Sequence, residues 1–187
     1  MAVKIFVDQG HNPRNPNSGA EGNGLNEQDL TYKIGVLLAQ LLEEDPRFEV
    51  KLSRNSPTEQ LGTSNATSLA ARVNAANEWG ADYFISLHAN ASDIPTASGS
   101  EALVYSAPST ASALGEDILA GLNAETGIPN RGISLRPGLY VLRKTQMPAV
   151  LVEMGFISNA AEAALMDTEP QLFAAGIYNG IVDYIGG

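Results

Sequence analysis

The chain has 187 residues, 44% apolar and 17% charged, which suits one globular domain able to bury its own core without staples. Eleven basic against twenty-one acidic side chains leave a net charge of −10, a surface that repels nucleic-acid backbones and anionic membranes. Cysteine is absent, which excludes thiolate metal sites, disulfides and cysteine nucleophiles.

The start, Met1-Ala2-Val3-Lys4, runs directly into an apolar strand rather than a basic-then-apolar leader, so no signal peptide is expected. No apolar run approaches the ~20 residues needed to cross a bilayer. Val3 to Val7 reads as a buried strand that opens at Asp8-Gln9-Gly10-His11 into a loop rich in Asn, Gly and Pro. A helix follows, capped by Asn26 and with Glu27 in its first turn. Its stripe is Leu30, Ile34, Leu37, Leu38, Leu41 and Leu42. Phe48, Val50 and Leu52 alternate as in a half-exposed strand. Ser68 is the expected cap of a second helix, with Leu69, Val73 and Ala76 inward and Gly80 at its end.

Tyr83 to Leu87 forms another buried strand, which meets His88. A strand at Glu101 to Tyr105 and a helix from Ala111 to Glu125, closed by Gly127, come next. Leu139 to Leu142 and Ala149 to Val152 read as further strands, the second meeting Glu153. Asn159 and Glu162 have capping-box spacing, and Pro170 opens the last helix. The alternation implies a single α/β domain over residues 1–187. Its sheet is mostly parallel and twisted, of about six strands, with helices on both faces.

Open parallel sheets bind ligands beyond the carboxyl ends of their strands. Three apolar runs end there in reactive side chains: the first leads to His11, the others meet His88 and Glu153. A zinc hydrolase needs three protein ligands, an open position and a nearby base. With two histidines and no cysteine, the third ligand has to be a carboxylate. Asp8, Glu27, Asp29, Glu101 and Glu153 are all candidates, and Asp8 could equally orient a histidine from behind. The chain contains no G-x-S-x-G, G-x-G-x-x-G, P-loop or H-E-x-x-H motif, which removes the common seryl, nucleotide-binding and helical metallopeptidase readings. A carboxylate-pair glycosidase would leave both histidines without a task.

Several blocks together carry a family resemblance. They are Val7 to His11, Gly24 to Glu27, and Ser68-Leu69 with Arg72, Ala76 and Asn77. Phe84 to Asn90, Gly99 to Glu101, Asn130 to Gly132 and Met147 to Asn159 complete the set. In these residues the chain resembles the zinc-dependent N-acetylmuramoyl-L-alanine amidases of the amidase_3 type, cell-wall hydrolases of bacteria and phages. The resemblance implies one zinc ion held by His11, Glu27 and His88, with Glu153 as the catalytic glutamate. It implies cleavage of the amide between N-acetylmuramic acid and the L-alanine of the stem peptide. Glu101, Arg131 and Asn90 are the candidate substrate contacts, and Arg72 is read as a structural ion pair or a helix-face charge and not as a substrate contact.

Gln9 and Asn12 depart from the Pro and Gly that usually flank the first histidine. No inserted helix is expected between Ser86 and Tyr105, so the site should be open. The expected partner is peptidoglycan or muropeptide, with neither nucleic acid nor membrane, and the expected state is a monomer. Action on the cell wall would follow lysis, another export route, or membership of a longer secreted protein. Two alternatives remain: a zinc amidohydrolase or peptidase acting on another amide, and a wall-binding module without activity.

Overall fold

The computed structural model describes residues 2–186. Its chain order is β1 (Val3–Gln9), β2 (Glu21–Gly22), β3 (Leu25–Asn26), α1 (Glu27–Glu44), β4 (Phe48–Leu52), α2 (Asn65–Trp79), β5 (Tyr83–Asn90), β6 (Ser100–Val104), α3 (Thr110–Thr126), β7 (Asn130–Leu135), α4 (Tyr140–Lys144), β8 (Ala149–Phe156), α5 (Ala160–Thr168) and α6 (Pro170–Gly186). Six strands form one sheet in the order β4-β1-β5-β8-β6-β7, and β2 pairs with β3 in a separate small hairpin. Every pair in the large sheet is parallel except β6 with β8.

The side-chain period of two splits the core into two layers. Ile5, Val7, Ile85, Leu87, Val150 and Val152 face a large cluster built with α1, α3 and α6. Phe6, Phe84, Leu103 and Leu151 face the opposite side, where Val73 and Ala76 of α2 and Val141 and Leu142 of α4 cover them. Among the described residues no helix is long and apolar enough to cross a membrane.

Three local expectations are corrected. Leu139 to Leu142 is not a strand: Val141 and Leu142 are buried on one side of the short helix α4, and Arg143 N–H donates to Leu139 O at 3.0 Å. Its apolar run is too short for periodicity to separate helix from strand. The remaining strand of the sheet is β7, a mostly exposed edge whose Asn130, Arg131 and Gly132 concealed it. Ser68 does not cap α2. Ser64 does, in a reciprocal box with Thr67, while Ser68 is fully buried. Asn159 caps α5 through its side chain, but Glu162 does not return the bond. Glu162 instead accepts from Ser98 Oγ–H, Gly99 N–H and Phe156 N–H, tying the approach to β6 onto β8. Asn26 stands at the N-cap of α1 with no capping bond, and its amide donates to Asp29.

Candidate metal centre and active site

The carboxyl-terminal parts of β1, β5 and β8 lie side by side. β5 and β8 run on to Asn90 and Phe156, past the ends expected at Leu87 and Val152, so His88 and Glu153 sit within their strands and only His11 follows one. His88 and Glu153 are direct neighbours in the β5–β8 register, and Glu101 of β6 is level with Glu153 on its other side. His88, Glu153 and Glu101 therefore form a row across three strands, pointing to the face that carries α2 and α4.

His11 follows β1 with φ +69, a left-handed backbone that a non-glycine residue adopts at a cost. Arg72 holds it there. This buried guanidinium donates from Nη1 to Asp8 Oδ1 and Gln9 O, both at 2.6 Å, and from Nη2 to His11 O. Ser86 Oγ–H donates to the other Asp8 oxygen at 2.7 Å. Asp8 has no hydrogen bond to either histidine, so it does not orient them directly; it neutralises Arg72, which was expected to be structural. Burial raises the Asp8 pKa, but Arg72 and Ser86 outweigh it and hold the carboxyl below its ordinary range.

Glu27 enters from the start of α1 and converges on both rings. Its Oε1 lies 3.1 Å from His11 Nε2 and 3.0 Å from His88 Nδ1. The same oxygen accepts Ala89 N–H at 3.0 Å, while Oε2 accepts Ala20 N–H at 2.8 Å. Burial pushes this carboxyl up, yet the two imidazoles facing it hold it well below the usual carboxylate range. Burial alone would lower the His88 pKa, but the carboxylates of Glu27 and Glu153 raise it. Two glycines admit this crowding. A Cβ on Gly10 would sit 2.6 Å from the His88 ring, and one on Gly19 would sit 2.7 Å from Glu27 Cβ.

His11, Glu27 and His88 each offer a ligand atom, all within 4.8 Å of one another. Two imidazole nitrogens and one carboxylate oxygen, without thiolate, match the donor set of a hydrolytic zinc site. The fit is also electrostatic: one carboxylate oxygen lies 3.1 and 3.0 Å from a nitrogen of each ring, so a divalent cation held among these atoms would meet a negative charge and two neutral donors. Asp29, the other carboxylate in the first turn, is exposed and is not part of the cluster.

Glu153 stands beside this group. Its Oε2 is buried and has no hydrogen-bond partner. Burial, together with the negative charges of Glu27 and Glu101, pushes its pKa up to about 7 against the opposing pull of His88. Glu101 is half-buried, and its Oε1 accepts Ser134 Oγ–H at 2.6 Å. Arg131 is exposed on β7, donates to Ser98 O at 3.0 Å and stacks its guanidinium over the Phe156 ring. Asn90 Oδ1 accepts Ala91 N–H, so that oxygen is committed to its own loop.

The model of the family described as N-acetylmuramoyl-L-alanine amidase matches residues 5–183 of this chain. The chain belongs to that family. N-acetylmuramoyl-L-alanine amidase CwlM of Bacillus licheniformis is 37% identical over 187 residues, a match covering 96% of this chain and 67% of the relative. The sporulation-specific N-acetylmuramoyl-L-alanine amidase of Bacillus subtilis is 36% identical with the same coverage. In three dimensions the catalytic domain of the amidase CwlV from Bacillus (Paenibacillus) polymyxa superposes with a TM-score of 0.86. It shares 30% identity, with 98% of both chains covered.

Two features of this amidase were missed in the sequence. Arg54, at the end of β4, is fully buried, donates to Gln28 O at 2.7 Å and packs over Tyr32. Burial, helped by the nearby Arg72, lowers its pKa to about 10. It braces the first turn of α1, one residue after Glu27. Asn12, where the family usually has glycine, is also fully buried. Its amide donates to Pro16 O and Leu61 O, and its oxygen accepts Leu61 N–H. The loop carrying His11 is thus pinned by side-chain bonds.

Proposed function

We propose that His11, Glu27 and His88 hold one zinc ion, and that Glu153 is the base and acid that cleaves the amide between N-acetylmuramic acid and L-alanine. As a member of the N-acetylmuramoyl-L-alanine amidase family, the chain is a peptidoglycan hydrolase acting on a linear amide. The observation that carries the residue roles is the three-ligand cluster beside a buried carboxylate oxygen with no partner.

Zinc bound there supplies Lewis acidity, polarising the scissile carbonyl and making water a better nucleophile at neutral pH. Glu153 does the proton work. Its Oε2, buried and without a hydrogen-bond partner, is the atom that takes a proton from the attacking water. The same oxygen then passes that proton to the alanine nitrogen as the carbon–nitrogen bond breaks. The products are a lactyl carboxylate and a free alanine amine. Arg72 and Gly10 serve by position: the first fixes the His11 backbone, the second lets the His88 ring approach.

Support for zinc over other cations comes from the N,N,O donor set; magnesium and calcium sites are built from oxygen. Incubation with intact muropeptides tests the reading. New amino-terminal alanine without new reducing sugar ends, lost on chelation and restored by zinc, is the expected result. New amino termini at any other residue would assign the scaffold to a different amide.

A further inference from the structure

A cavity of about 120 Å³ opens beside the cluster, on the side of α2 and α4. The His11 and His88 rings form one of its walls, and Leu69, Leu139, Val141 and Leu151 supply much of the rest. Glu27 and Glu153 are not among its lining residues. Asp8 reaches its floor, but both carboxylate oxygens are already engaged by Arg72 and Ser86. The walls are mainly apolar, and such a space favours an aliphatic group over a charged one.

We propose that this cavity is a subsite for the aliphatic substituent on a carbon adjoining the scissile amide, and that it sets how large that substituent can be. The inference rests on the cluster being the reacting centre. A branch two or three bonds from a carbonyl held at the cluster is short enough to stay against the His11 and His88 rings that line this cavity. Only two aliphatic branches of the substrate lie that close: the methyl of the lactyl carbon on the acyl side and the methyl of L-alanine on the amine side. Their chemistry is shared, and the two sources are separable by synthesis. A methyl is about the size of a water molecule, whose share of liquid volume is about 30 Å³. One methyl therefore leaves most of the cavity unfilled, and the enzyme accepts a longer unbranched chain.

The test uses two series of synthetic muramoyl peptides. One replaces L-alanine by L-2-aminobutyrate, L-norvaline or L-aspartate; the other replaces the lactyl ether by its ethyl- or propyl-branched homologue. In one of the two series, propyl is expected to match or exceed methyl in kcat/KM, by up to about fourfold for each methylene buried. That series identifies the branch that enters the cavity. L-Aspartate should lose at least tenfold if the alanine side is the occupant. Leu139→Trp and Leu69→Phe, on different elements, should each lower kcat/KM for the propyl substrate at least tenfold more than for the methyl one. Zinc content and melting temperature verify that both variants remain folded.

A loss beyond tenfold for propyl in both series overturns the subsite, as does a parallel change of methyl and propyl in both variants. Failure to cleave the native muropeptide at all overturns the underlying reading, and the subsite with it.

Discussion

Replacing Arg72 by methionine removes the positive half of a buried pair but leaves its volume nearly filled. Asp8 then stands in the core with only Ser86 as a donor, 2.7 Å from its Oδ2. Breaking a buried pair from one side costs about 3–5 kcal/mol, against about 5–15 kcal/mol for a whole domain. For a chain of this size each kcal/mol moves the melting temperature by about 2–4 °C, so a fall of about 6–20 °C is expected. Asp8→Asn/Arg72→Met should recover most of it, because an uncharged amide is far cheaper to bury than an unpaired carboxylate.

The pH dependence gives a second reading of the same pair. In the native chain Arg72 and Ser86 hold the Asp8 pKa below its unfolded value, so the stabilisation is complete above the unfolded pKa and lost as pH falls through the folded one. In Arg72→Met, burial without a cation raises the carboxyl instead. That variant's deficit is therefore largest at neutral pH and shrinks as acid protonates Asp8. Urea denaturation of the three proteins between pH 7 and pH 4 measures both effects. A loss below about 1 kcal/mol at pH 7, or a deficit that does not change with pH, would refute the assignment of this pair.

Glu153→Gln should keep zinc and lose about 10²–10⁴ in kcat, the usual worth of a positioned acid–base group; a normal rate on muropeptides would remove it from the reaction. His88→Ala should lose bound zinc by metal analysis, and full occupancy would strike it from the ligand set. Gly10→Ala presses a Cβ against Leu87 O and to 2.6 Å from the His88 ring, so stability and zinc affinity should both fall although no ligand changes. Zinc competition titration measures the affinity, and an unchanged value would show that the ring approach is not needed.

Much of the fold was legible because buried parallel strands are continuous apolar runs and their ends are abrupt. Val3 to Val7, Tyr83 to Leu87 and Ala149 to Val152 announced three central strands and, with them, the edge where His11, His88 and Glu153 meet. Glu27 was less legible. It reaches the cluster because α1 starts beside the ring of His88, a tertiary fact that leaves no periodic mark, and only family resemblance singled it out. The strand β7 was missed and the helix α4 misread for opposite reasons: a partly exposed edge strand has no long apolar run, and a one-turn buried helix has little else. Arg54 and Glu162 were opaque because a charge in sequence gives no sign of which backbone groups will surround it.

The single antiparallel pair of the large sheet has a topological consequence. Parallel neighbours must be joined by a crossover from one end of a sheet to the other, but β5 ends and β6 begins at the same edge. Residues 91–99 join them there without a helix, and they carry Ile94 with 63% of its surface exposed. Length added to this segment would overhang the metal cluster and leave both core layers as they are. A removable cover could therefore be grafted here, one that governs access to the His11, Glu27 and His88 cluster at little cost to the stability of the domain.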